Sequence, residues 1–247
     1  MLFYTVSVFS VATFGLFSAG KATLPFTPCK RNSVDFADCL QRSIEEAWPR
    51  FSAGLPEYDF PPLDPMYLEH LPITVDLDNV RGEIIISNLT ALGISTIRFP
   101  AVRSHFHDNV FRLEIDAVLP LLFIEANIEV NGTISIFKFC GKGYYNETVH
   151  DIRGTWDLTG HVVNDTWNIE HFYTAPSMRK YIVYFGNLSE EVKEFNDIVV
   201  YVVKIVNEYW PILHRLMLPI TATTVDPFLA SIPKKFFSKV PFSEVFT

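Results

Sequence analysis

Residues 189–218 read SEEVKEFNDIVVYVVKIVNEYWPILHRLML, and their periodicity decides the fold. Val192, Phe195, Val199, Val202, Val206, Tyr209 and Leu213 recur at helical spacing on one face, and Ile198, Val203, Ile205 and Trp210 widen that face well beyond an ordinary stripe. Charged residues keep to a narrow line through Glu190, Lys193, Asp197, Lys204 and Glu208. A helix apolar over most of its circumference is either surrounded by other structure or spans a membrane. The charged line excludes spanning, so the helix asks for a wrapping partner. Pro211 is expected to kink it, because proline lacks the N–H and its ring clashes with the preceding turn.

The wrapping partner lies upstream. From Ile73 to Phe185 the sequence is rich in Ile, Val, Phe and Thr, with alternation in Phe111, Leu113, Ile115 and again over residues 124–130. This pattern predicts long antiparallel strands with one face toward a core. Breaks are expected near Gly82, Gly93, Pro100, Pro120, Gly132, Gly141-Lys142-Gly143 and Gly154, with the Gly-x-Gly as a turn. The region from Pro49 to Pro72 holds six prolines and reads as an extended segment along a surface. Before it, Phe36, Leu40, Ile44 and Trp48 give a helix over residues 32–48, which Pro49 is expected to end. A last apolar segment covers residues 226–246. The expected class is α+β: a long C-terminal helix wrapped by a strongly curved antiparallel β-sheet.

Composition agrees with an apolar interior. Of 247 residues, 49% are apolar, with 22 Phe, 10 Tyr and 4 Trp. The net charge is −8 and no Lys/Arg cluster is present, which argues against a nucleic-acid or anionic-membrane partner. Residues 1–20 are uncharged and mostly apolar, with Ser18 and Gly20 suiting a cleavage site, so they read as a signal peptide before one domain at 21–247. No other stretch suits stable membrane insertion. Sequons at Asn88, Asn131, Asn146, Asn164 and Asn187 fit a secreted, extracellular glycoprotein. The spacing of Cys29 and Cys39 suits a local disulfide in that compartment, leaving Cys140 as an inert buried thiol.

Catalytic signatures are missing: no G-x-S-x-G, Walker loop, G-x-G-x-x-G or H-E-x-x-H occurs. His105 and His107 alternate on a strand but have no third ligand nearby in sequence, so they read as solvated. No cofactor, metal or enzymatic activity is expected.

Five segments together resemble the juvenile-hormone-binding/takeout family of arthropod proteins. They are Cys29 and Cys39 with the helix that follows; Gly54-Leu55-Pro56 running to Leu63-Asp64-Pro65-Met66; Gly132-Thr133-Ile134 leading to Gly141-Lys142-Gly143-Tyr144-Tyr145-Asn146; Asn207-Glu208-Tyr209-Trp210; and Phe236-Phe237-Ser238-Lys239-Val240-Pro241. The resemblance implies a tubular lipid-binding fold that carries juvenile hormone-like terpenoids, fatty acids or other lipids in an internal tunnel. Candidate tunnel residues are Leu63, Met66, Phe123, Ile128 and Ile134, with Val199, Val202, Val203, Val206 and Trp210 from the long helix. Ile128 stands where relatives often have a Tyr, which disfavours a ligand anchored by that phenol. The alternative is an interaction or signalling protein on the same fold, its core filled by side chains.

Overall fold

The structure is a computed structural model and describes residues 24–186 and 193–247. Helix α1 (Phe36–Ala53) leads through a 3₁₀ turn (Pro56–Tyr58) into seven strands: β1 (Met66–Leu77), β2 (Val80–Leu92), β3 (Arg98–His107), β4 (Val110–Ile134), β5 (Phe137–Val163), β6 (Thr166–Thr174) and β7 (Lys180–Gly186). Helix α2 (Lys193–Phe237) and a short α3 (Phe242–Val245) complete the chain. The strands form one curled, wholly antiparallel sheet in the order β1-β2-β4-β5-β6, with β3 also on β4 and β7 also on β5.

Two strands of unusual length organise this sheet. β4 has 25 residues and β5 has 27, and they stay in register from Val110↔His161 to Ile134↔Phe137. Their flanking partners change halfway. The first half of β4 pairs with β3 and the second half with β2, while the first half of β5 pairs with β7 and the second with β6. At that level the inward-facing set also changes. Phe111, Leu113, Ile115, Ala117 and Leu119 are buried before Pro120, and Leu122, Ile124 and Ala126 face inward after it. Asp151, paired with this level of β4, has φ +50°. Each strand therefore carries one extra residue at the same height, which bends the sheet while the register survives.

These strands run through most of the expected breaks. Gly141 and Gly143 lie inside β5, opposite Val130 and Ile128, and the hairpin turn is at Ser135-Ile136 instead, where Ser135 has φ +57°. Cross-strand pairing over this length overrides the turn tendency of isolated glycines. Cys140 is exposed on this hairpin, opposite the exposed Asn131, so it is not the buried thiol expected. Gly93 does mark a real break: at φ +108°, a Cβ there would lie 2.2 Å from the Leu121 carbonyl oxygen.

The prolines also behave differently from expectation. Pro49 lies within α1, which runs on to Ala53 and closes at Gly54 (φ +93°). The segment after it doubles back: the Leu63 and Asp64 N–H groups donate to the Ser52 carbonyl at 2.9 and 3.1 Å. These bonds satisfy a carbonyl of the last turn that has no partner within the helix. Pro72 sits within β1, an edge strand, where a missing N–H is tolerated.

Helix α2 spans 45 residues and deviates at Tyr209 (φ −108°, ψ 15°), just before Pro211, as the proline requires. It continues through Pro219, Pro227 and Pro233 and absorbs much of the last apolar segment. It packs on β6 and β7, each of which pairs with β5 alone and has an open edge. Side chains on α2 partly close those edges. The Asn207 amide accepts from the Val183 N–H at 2.7 Å and donates to the Val183 carbonyl at 2.9 Å. Farther along, the Asp226 carboxylate accepts from the Phe172 N–H. The sheet half-encloses the helix. Val200, Ile212 and Leu216 remain 70%, 59% and 67% exposed, so enclosure is less complete than the width of the apolar face suggested.

Replacing Asn207 with Ala leaves both Val183 backbone groups without the amide. The expected cost is ~1–3 kcal/mol in thermal or denaturant unfolding. Glu208→Ala, at the exposed neighbouring position, should stay within ~0.5 kcal/mol of the parent.

Candidate functional site

Beneath the concave face of the sheet lies an apolar cavity of about 370 Å³. Its floor is the inward side of β4 and β5, including Leu113, Ile115, Leu119, Trp156 and Leu158. One wall is the apolar stripe of α1: Leu40, Ile44, Ala47, Trp48 and Phe51. The opposite wall comes from the C-terminal part of α2 and the tail, through Leu229, Ile232, Phe236 and Phe246. The volume falls within the range of small-molecule sites.

Polar groups at this wall are engaged with one another. Ser43 Oγ, buried in α1, donates to the Thr27 carbonyl at 2.7 Å. The Trp48 indole N–H donates to the Ile94 carbonyl at 3.1 Å. Trp48 also packs edge-on to Phe99 at 5.0 Å and against Trp156 at 5.8 Å between ring centroids, which fixes its orientation. A side chain so fixed shapes a wall without reaching for a ligand. At one end, Phe111, Trp167, Phe237 and Phe246 form a ring cluster with centroid separations of 4.7–4.9 Å for three of its pairs. Other rings pack elsewhere on the wall, with Phe51 against Phe60 and Phe236 at 5.1 Å between centroids.

Cys29 closes the same region. It is disulfide-bonded to Cys39 of α1, and its backbone pairs in parallel with Phe246. The Cys29 N–H donates to the Val245 carbonyl at 3.2 Å, and the Thr247 N–H donates to the Cys29 carbonyl at 2.9 Å. Asp64 performs a similar task on the linker. Its carboxylate accepts from the Gly93 N–H at 3.1 Å and the Ser95 N–H at 2.8 Å, which holds neighbouring Leu63 and the start of β1 against the sheet.

Of the tunnel candidates, Leu63 and Met66 lie on this wall. Phe123 and Ile128 are half-buried on β4 but do not line the cavity, nor do Val203, Val206 and Trp210. The side chains of Ile134, Val199 and Val202 lie outside the described residues. The reason is positional. The N-terminal part of α2 docks on the edge strand β7, whereas the cavity lies under α1 and the other end of α2. The α1 stripe and the Leu113/Ile115 alternation carried the signal for the wall of this cavity, but periodicity reports only burial. His105 and His107 are 63% and 90% exposed, and among the described residues no group of three potential metal ligands occurs.

Residues 6–247 match the family model described as haemolymph juvenile hormone binding protein. A Drosophila melanogaster relative, circadian clock-controlled protein daywake, is 20% identical over 230 residues, covering 89% of this chain and 87% of that protein. The crystal structure of Epiphyas postvittana Takeout 1 superposes with a TM-score of 0.68 at 17% identity, covering 89% of this chain and 99% of that one. That likeness supports the fold, and the family match extends to the last residue of the tail that closes the cavity. The chain belongs to the haemolymph juvenile hormone binding protein family.

Proposed function

We propose that this chain is a secreted carrier that holds one small apolar molecule in the cavity under the sheet and performs no catalysis. The observation that carries this reading is a wall contributed almost wholly by apolar side chains, with its few polar groups already paired. Removing apolar area from water is favourable by about 25 cal/mol per Å². A terpenoid or acyl chain burying about 400–500 Å² would gain roughly 10–12 kcal/mol, set against association costs of ~4–15 kcal/mol. Micromolar to nanomolar affinity then requires a preformed site. The Cys29–Cys39 bond and the backbone pairing to the tail support that preorganisation.

Secretion is part of the same proposal. The uncharged leader at residues 1–20 lies outside the described residues, as does Asn187. Asn88, Asn131 and Asn164 are exposed, and Asn146 is half-buried on the outer face beside the exposed Tyr184. Among the described residues no helix is long and apolar enough to cross a membrane. Protein made by secreting cells should lose apparent mass on glycosidase treatment, with Asn88, Asn131 and Asn164 the principal sites. An unchanged mass contradicts this route.

Ala47 tests the cavity. Its side chain is buried and on the wall. In a packed core, Ala47→Phe would cost ~1–3 kcal/mol. In a ligand cavity the ring takes ligand space, so stability should change little while affinity for an apolar fluorescent probe falls at least tenfold. A destabilised variant whose folded fraction binds probe normally would remove this cavity from the account.

A further inference from the structure

One register row crosses the lower half of the sheet from edge to edge: Met66 (β1), Ala91 (β2), Ile124 (β4), Glu147 (β5) and Val183 (β7). Residues paired in an antiparallel register present their side chains to the same face. Met66, Ala91 and Ile124 line the cavity and Val183 is buried. Glu147 therefore lies on the inner face, one strand beyond the cavity wall. A carboxylate in such a row is costly unless it is hydrogen-bonded.

Two phenols supply those bonds. Tyr181 donates to Glu147 Oε2 at 2.7 Å, and Tyr145 donates to the same oxygen. The two hydroxyl oxygens are 3.5 Å apart. Both tyrosines belong to the inner face, since Tyr145 pairs with buried Ala126, and Tyr181 pairs with buried Val149, itself opposite the cavity residue Leu122. Tyr145 also packs on the small cluster of Leu89, Ala91 and Ala126 that adjoins the cavity. Tyr181 is backed by Trp210 of α2 at 6.4 Å between ring centroids. Burial, reinforced by the Glu147 charge, pushes both phenols above their ordinary pKa, so both keep their protons at neutral pH.

We propose that Tyr145, Glu147 and Tyr181 form a polar anchor beside this end of the cavity, and that it selects ligands ending in a hydrogen-bond donor, such as an alcohol, over those ending in a carboxylate. The inference rests on the carrier reading above and adds the chemistry of the ligand's polar end. It follows from a count of protons and lone pairs. Both phenol protons are committed to Glu147 Oε2, so the groups that remain are Glu147 Oε1 and the phenol lone pairs, all acceptors. A ligand hydroxyl brings the missing proton. A ligand carboxylate brings a second negative charge, and no described cation is paired with Glu147 to offset it. His214, one turn beyond Trp210 in α2, is held below its ordinary pKa by burial and is neutral at pH 7.

The test is competition by dodecane, dodecanol and dodecanoate against an apolar fluorescent probe at pH 7, on the full secreted chain. The parent protein should bind dodecanol at least tenfold tighter than dodecanoate. Glu147→Gln, equal in shape and uncharged, should raise dodecanoate affinity about tenfold and leave dodecane unchanged. Tyr181→Phe should weaken dodecanol alone. Equal binding of dodecanol and dodecanoate by the parent overturns the anchor while leaving the carrier reading standing. So does an equal change for all three ligands in Glu147→Gln, which marks a purely structural carboxylate. Failure of dodecane and probe to bind the parent at all overturns the carrier reading and the anchor with it. If Glu147→Gln does not fold, the parent's own alcohol-to-carboxylate ratio and Tyr181→Phe decide.

Discussion

Cys29 joins the start of the chain's first helix to its last residues. Its sulfur is bonded to Cys39 in α1, its backbone is paired with the last residues of the chain, and its side chain lies on the cavity wall. The cavity depends on this junction, because its walls come from elements that have little direct reason to stay apart. Apolar surfaces left free to move would collapse onto one another and fill the space. Here α1 is held by the disulfide, the tail by backbone hydrogen bonds, and the linker by the Asp64 carboxylate on Gly93 and Ser95. The bent β4–β5 pair supplies the floor.

Much of this architecture was legible in the sequence because it rests on burial, and burial leaves periodicity. The wide apolar arc of α2 required a partner, and the alternation of residues 111–115 pointed to a sheet with one inward face. The stripe in α1 located the first helix. The departures arose where pairing between distant segments decides local conformation. Gly141 and Gly143 look like a turn, yet they are held extended opposite Val130 and Ile128. Pro49 looks like a helix end, yet the linker returns to satisfy the Ser52 carbonyl and the helix continues. Pro120 looks like a strand boundary, yet it sits at the level where β4 and β5 shift faces together.

The site was harder to read for a different reason. A side chain facing a cavity and one facing packed core obey the same spacing rules. Val203, Val206 and Trp210 have the pattern of a buried face, yet they lie away from the cavity, with Trp210 against Tyr181 of β7. Leu40, Ile44 and Trp48 have the same pattern, and they line the cavity. Glu147 carried still less signal: in sequence it is the middle residue of a glycosylation sequon, and only the register shows it in line with Ile124 and Ala91. That row connects the two chemical characters of the interior, an apolar chamber and a carboxylate held by two phenols at its border. In the proposed reading, the chamber excludes water along most of a ligand and the carboxylate leaves one place for a polar end.

Native mass spectrometry of the chain purified from secreting cells, before and after organic extraction, tests the central claim most directly. The account predicts one apolar molecule of a few hundred daltons per protein, lost on extraction and replaced stoichiometrically by an added apolar probe. A protein that carries only polypeptide and glycan mass, and that takes up no probe after extraction, would contradict it.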